Sequence, residues 1–251
     1  MLRRLLMILT AALLLFGLPQ MLSMAADMTS ETEATSWSAA RRDASGLAPR
    51  PDAHPEAIIQ VYGAKAWGWR GNFAVHSWIA FKKANDSSYE RYEIVGWRAR
   101  HGGNALVHQR GNPDNYWFGS SPALLAEVTG EAAAALIPRI EQAISDYPHK
   151  NEYRAWPGPN SNSFIAHIGR AVPELGLDLP PTAIGKDYLT NGRAVGRAVS
   201  GRGLQVSLLG FGGFSLSPVE GAELHFLGLT LGVDIDDLAL KLPGFGRIEP
   251  F

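Results

Sequence analysis

The 251-residue chain contains no cysteine. That absence excludes a disulfide framework, a zinc–thiolate site, a cysteine nucleophile and a lipid-modified cysteine anchor. Neither sign of charge predominates. Lys and Arg number 23 against 24 Asp and Glu, a net charge of −1, so no basic field points to nucleic acid. At 46 % hydrophobic residues the chain is too apolar for disorder, and its 27 glycines lack a collagen period. His101, His108, His149, His167 and His225 are scattered without metal-ligand spacing, so no metal site and no cofactor are expected. Asp234-Ile-Asp236-Asp237 reads as a solvated acidic turn, and the lone glycine pairs lack the frame of a phosphate loop. There is no internal repeat.

The one long apolar run is at the N-terminus. Arg3 and Arg4 precede Leu5–Leu18, and a small-residue stretch, Ser23-Met24-Ala25-Ala26, follows Pro19 and Gln20. This is the grammar of a secretory signal cut near Ala25 or Ala26. The alternative is an uncleaved anchor, since Leu5–Met24 has the roughly 20 residues that a spanning helix needs. Either reading exports the remainder, to the periplasm or to the outer side of the inner membrane, with membrane contact through this segment if it is retained. Residues 1–26 are thus expected as signal or anchor. Residues 27–56, rich in Ser, Thr, Ala, Asp, Glu and Pro, are expected as a flexible tether. Residues 57–251 are expected as a single domain.

Within that domain, Ala57–Tyr62, Phe73–Lys83 and Tyr89–Arg98 read as strands, the last two joined as a hairpin across Asn85–Ser88. Alternation places Ala74, His76, Trp78 and Ala80 on one face of the second strand and Val75, Ser77, Ile79 and Phe81 on the other. Pro122–Val128 is predicted as a short helix. Gly130–Tyr147 is predicted as a longer one, kinked or broken at Pro138, and Asn160–Val172 as a third. Short strands follow at Leu204–Leu209, Phe214–Leu216, Ala222–Leu227 and Leu229–Val233. Strands, then helices, then strands predict an α+β fold with a mainly antiparallel sheet packed with helices.

Two local patterns bear on chemistry. Asn160-Ser161-Asn162-Ser163-Phe164 opens an apolar helix after Trp156-Pro-Gly-Pro159. Asn and Ser are preferred helix caps, which explains the segment without function. The same free N–H groups and positive helix end would also stabilise an anion or an oxyanion. His76 lies mid-strand among apolar neighbours, where a buried imidazole needs a partner, and imidazole is the usual general base near pH 7. Trp67, Trp69, Trp97, Trp117 and Trp156 read mostly as packing residues, with an aromatic groove for a glycan or peptide as the alternative.

A strand His followed much later by an Asn-x-Asn-x-Phe helix start resembles the circularly permuted papain-like proteins. These include permuted relatives of the NlpC-type cell-wall peptidases, the lecithin–retinol acyltransferase type and the PPPDE type. The resemblance covers about Ala57–Val172 and implies a permuted papain-like core, with His76 at the base position and Ser161 where that pattern has a cysteine. A second resemblance is to a bacterial envelope family, a domain of unknown function. Its blocks are Val61-Tyr-Gly-Ala-Lys-Ala-Trp-Gly-Trp-Arg-Gly71, Arg91-Tyr-Glu-Ile-Val-Gly-Trp97, Trp156–Phe164 and Ala183-Ile-Gly-Lys-Asp-Tyr188, across most of Ile58–Arg247.

A serine hydroxyl needs a well-placed base where a thiolate does not. The first expectation is therefore a catalytically silent cleft that binds ligand through Asn160, Asn162, Ser163, Trp78 and Trp156. The second is a hydrolase or acyltransferase with Ser161 as nucleophile, His76 as base, Tyr92 or Glu93 orienting the His, and backbone N–H groups near Asn162 holding the oxyanion. The third is a structural partner-binding envelope domain. Peptidoglycan, peptide or lipid ligands follow from the resemblance, and no nucleic acid.

Overall fold

The β-branched runs at Ala57–Tyr62 and Phe73–Lys83 form two neighbouring inner strands of a five-stranded sheet. The structure, a computed structural model, describes residues 3, 7, 10–27 and 36–249. Strands β1 (Ile58–Lys65), β2 (Val75–Lys82), β3 (Tyr89–Ile94), β4 (Leu106–Gly111) and β5 (Ala123–Thr129) lie in the order β4-β3-β2-β1-β5, and all paired strands are antiparallel. The fold class is α+β. Strand β5 corrects the helix expected at Pro122–Val128. Its short apolar run fits either structure, and the open edge of buried β1 supplies unpaired backbone groups for it to satisfy.

Among the described residues, the α-helices are α1 (Leu18–Asp27), α2 (Gly96–Arg100), α3 (Gly130–Asp146) and α4 (Ser161–Ala171). Pro138 sits inside α3, which continues through it. The proline is on the exposed side, where water can take up the carbonyl left without its usual donor. Ile137, Ile140 and Ile144 of α3 and Phe164, Ile165 and Ile168 of α4 pack on Ile59, Val61, Ile79 and Phe81 of the sheet. Each such side chain contributes about 1.5–3 kcal/mol by leaving water. The other face carries a smaller cluster of Tyr62, Ala64 and Trp78, with Trp117 against it. The two faces of β2 follow the alternation of its sequence.

Along the stretch expected as a flexible tether, residues from Ser36 onward are laid on the domain. The Asp114 carboxylate accepts from Ser45 Oγ at 2.9 Å and from the Leu47 and Ala48 N–H groups at 2.7 and 3.3 Å. Arg41 lies 3.9 Å over the Tyr116 ring, and Trp37 stacks on Phe118. Turn-like composition did not disclose this, because the partners are some 70 positions away in sequence.

The N-terminal segment expected as a signal or anchor is only partly described: residues 1, 2, 4–6, 8 and 9 lie outside, as do 28–35. Among the described residues, no helix is long and apolar enough to cross a membrane. Leu13–Gly17 forms one π-helical turn leading into α1, and Ser23 Oγ donates to the Gly244 carbonyl at 2.9 Å.

From Val195 the chain builds a second, seven-stranded meander in sequence order. Its strands are β6 (Val195–Gly196), β7 (Leu204–Ser207), β8 (Gly212–Ser217), β9 (Gly221–Phe226), β10 (Leu229–Asp234), β11 (Ala239–Leu242) and β12 (Gly246–Ile248). Its inner face meets the rest of the domain through ions. Buried Glu223 accepts from Lys186 Nζ at 2.8 Å and Lys241 Nζ at 3.0 Å, and Lys241 also pairs with Asp178 at 2.7 Å. Burial alone would raise the Glu223 pKa, but the two ammonium charges outweigh it and hold it at about 2. A depressed carboxyl pKa contributes stability that is present above its unfolded value and lost as pH falls through the folded one. Stability should therefore decline between about pH 4.5 and pH 2 as this carboxylate protonates. Replacing Glu223 with Gln leaves two buried ammonium groups under-compensated and should cost about 3–5 kcal/mol in urea unfolding at pH 7.

Candidate functional site

The start of α4 is fixed by its own sequence. Asn160 caps the helix: its Oδ1 accepts from the Asn162 and Ser163 N–H groups at 2.9 and 3.0 Å. Ser163 Oγ returns a bond from the Asn160 N–H at 2.7 Å, completing a capping box. Asn160 Nδ2 donates to the Ala155 and Ile184 carbonyls. Asn162 then ties the helix to β2. Its Nδ2 donates to Val75 O at 3.0 Å and Ile184 O at 2.9 Å, and its Oδ1 accepts from Ser77 Oγ at 2.8 Å. Gly185, with φ of +87°, lies against this clamp, where a Cβ would overlap the Asn160 amide.

These bonds redistribute the roles expected of the segment. The polar groups of Asn160, Asn162 and Ser163 are engaged within the fold, so the oxyanion role expected near Asn162 cannot fall to its N–H, which is bound to the cap. The Ser161 N–H and hydroxyl, by contrast, bond to none of the described residues. Ser161 is the residue of the motif left with unspent hydrogen-bonding capacity at the positive end of α4.

His76 projects from the face of β2 opposite Ser77. Pairing of Ile79 with Tyr92 and of Ala80 with Arg91 brings Arg91 and Glu93 onto the same side as His76. His76 Nε2 donates to Glu93 Oε2 at 2.7 Å, and Arg91 pairs with the same carboxylate, its Nε 3.1 Å from Oε1. Tyr92 points the other way, stacking on His108 and packing beside Phe81. Of the two residues expected to orient the imidazole, the pleat brings Glu93 to it.

Trp117 lies flat on His76, with ring centroids 3.6 Å apart and planes 10° from parallel. Trp117 is held there by its loop. The Trp78 indole N–H donates to Pro113 O at 2.7 Å, and Asp114 receives the strap from Ser45 to Ala48. Trp78 itself is fully buried and lines neither of the two clefts described below. Trp117 and Trp37 had no signal in the sequence beyond their residue type.

Burial pushes the His76 pKa below its ordinary value, against the opposing pull of Glu93. Burial would raise Glu93, but the Arg91 charge and the bonds from His76 and Arg91 outweigh it and hold it ionised. A carboxylate only accepts, so Nε2 carries the imidazole proton and Nδ1 keeps its lone pair. Nδ1 makes no hydrogen bond among the described residues. His76 and Ser161 both line one cleft of about 420 Å³. Its walls include Trp67, Trp69, Phe73, Trp117, Tyr153 and Trp156, with Arg70 and Arg100. Trp69, Trp97 and Trp156 are substantially exposed along it, so these are not core residues. A smaller cleft of about 250 Å³ reaches Glu93 and Arg91 and shares Trp37, Trp117 and Phe118 with the first.

The fold and site describe an α+β protein in which an unpartnered serine at a helix N-terminus shares an aromatic cleft with a His–Glu pair. Residues 56–188 match the family model described as "Protein of unknown function (DUF3750)". The chain belongs to that family, and the match contains all four sequence blocks noted above. It stops short of the seven-stranded sheet. No curated protein and no solved structure matches the chain.

The clamp is testable without knowing the ligand. Asn162→Ala strands the Ser77 hydroxyl and removes the donors to two carbonyls, and should lower unfolding free energy by about 2–4 kcal/mol. Asn160→Ala should cost about 1–2 kcal/mol from the lost cap. Urea titrations of both variants against Ser161→Ala, expected within about 0.5 kcal/mol of the parent because its hydroxyl is unbonded, provide the measurement.

Proposed function

We propose that the cleft carries out acyl transfer, hydrolysis included, with Ser161 as nucleophile, His76 as general base and Glu93 as the group that orients it. The observation that carries this reading is the His76–Glu93 bond. It fixes the imidazole so that its unprotonated nitrogen is Nδ1, on a residue that lines the same cleft as Ser161. In the proposed reaction, Ser161 Oγ attacks the substrate carbonyl carbon as its proton passes to Nδ1. The tetrahedral oxyanion is held by the Ser161 N–H and the positive end of α4. The bond to the leaving group then breaks, and the imidazolium returns the proton to it. Water or another acceptor releases the acyl group by the same steps in reverse roles.

The permuted papain-like core is supported by the order of the parts, a strand His ahead of a helix-borne nucleophile. An exported or membrane-anchored location is supported by Arg3, Arg4 and the apolar run after them. The aromatic walls suit an apolar acyl chain or a flat ring, and Arg70 and Arg100 suit a carboxylate, as in peptidoglycan peptides or lipid-linked acyl groups. The second reading, a silent binding cleft, is favoured by one observation: Ser161 Oγ and His76 share no hydrogen bond here.

A fluorophosphonate probe separates the two. Labelling is expected on Ser161, absent in Ser161→Ala and slowed by about 10³-fold or more in His76→Ala. A correctly folded protein that takes no label and cleaves no activated ester would overturn the proposal in favour of the binding reading. The labelling rate should depend on one ionisation, with its midpoint below the ordinary His value of about 6.5, because burial disfavours the imidazolium. A midpoint at or above that value would count against His76 as the base.

A further inference from the structure

The seven-stranded sheet carries its polarity in the reverse of the usual sense. An antiparallel sheet on the side of a domain ordinarily turns apolar residues inward and polar ones to water. Here the register sets Gln205, Ser215, Glu223, Lys241 and Arg247 in one inward row. The adjacent outward row is Leu204, Leu216, Ala222, Val233, Leu240 and Ile248. The next outward row is Val195, Val206, Phe214, Leu224 and Leu231. Neither outward row contains a polar or charged side chain, and Leu216, Leu224 and Leu240 are 53 %, 55 % and 49 % exposed. Scattered exposed leucines are ordinary on a protein, but two contiguous rows spanning a sheet are not.

The N-terminal segment lies against the same surface. Phe16 is buried with its ring 5.7 Å from that of Phe226 at the end of β9, and Ser23 bonds the turn between β11 and β12. The segment exposes Leu14, Leu15, Leu18 and Leu22, and residues 10–25 bear no charge, so helix and sheet form one continuous uncharged apolar surface. A protein partner would ordinarily meet a polar rim and a hydrogen bond every 100–200 Å² or so. Acyl chains ask for neither, and they are what an apolar segment of this kind inserts among.

We infer that the outer face of the seven-stranded sheet, together with the N-terminal helix, beds into a lipid bilayer, so that the domain rests on the membrane by a sheet face as well as by its leader. The inference goes beyond contact through the N-terminal segment alone and does not depend on acyl transfer. Trp156 of the cleft wall packs on Phe211, in the turn joining β7 to β8, which places that wall beside the sheet.

The cysteine-free chain permits a direct test. Leu216→Cys, Leu224→Cys and Leu240→Cys, each made singly in the full chain, would carry an environment-sensitive fluorophore. Glu131→Cys, on the exposed side of α3, serves as control. In vesicles of phosphatidylcholine and phosphatidylglycerol, the three sheet labels should shift to the blue and be quenched by lipids brominated on their acyl chains, with the control unchanged. Sheet labels that report water while the chain is held in the vesicles would overturn the inference, since the leader alone would then be the anchor. Disulfide cross-linking of Leu224→Cys chains to one another, with no quenching by brominated lipid, would overturn it in favour of a second copy of this chain.

Discussion

The Asn162 side chain joins three parts of the chain that are far apart in sequence: the start of α4, strand β2 at Val75 and Ser77, and the loop carbonyl of Ile184. All its hydrogen-bonding groups are spent on this joint, and the joint is buried, so any slippage of the helix would strand several polar groups at once. Everything at the cleft inherits that constraint. With the helix pinned to β2, Ser161 at its first turn is brought to the cleft that His76 lines from the neighbouring position on the same strand. Asn160 and Gly185 complete the joint from the loop side, one by capping the helix and the other by leaving room for the cap.

On the opposite face of β2, a second chain of dependence ends at His76. The strap from Ser45 to Ala48 binds Asp114, which holds the loop that lays Trp117 on the imidazole. Burial lowers the pKa of the ring, while Glu93, its own pKa lowered by Arg91, selects the tautomer. The two effects act on different properties. Burial sets whether the proton is held, and the carboxylate sets which nitrogen holds it.

The molecule uses charge in the interior and apolar residues on part of its surface. Glu223, Lys186, Lys241 and Asp178 are paired beneath the seven-stranded sheet, and the matching outward rows are aliphatic and aromatic. A buried ion network is weak as a source of net stability, but it is exacting about geometry, because each ion must keep its partners. Lys186 and Lys241 reach Glu223 only from the face of the sheet that carries it, so the network matches the observed orientation of the apolar rows toward the outside.

The sequence by itself determined the local elements and their chemistry. Alternation in β2 assigned His76 and Ser77 to opposite faces, 3.6-residue periodicity placed α3 and α4, and Asn160 with Ser163 specified a capped helix start. Those signals are local, since they depend on backbone period and on hydrogen bonds within a few residues. The choice of Glu93 over Tyr92 needed the β2–β3 register, and a shift of one residue would have exchanged them. The same applies to β5, whose short apolar run became a strand only because β1 had an edge to fill. Trp117 and the strap beneath Asp114 had no local signature at all. Tertiary structure decided each of these, because each is settled by which distant group supplies the missing hydrogen bond or covers the exposed ring.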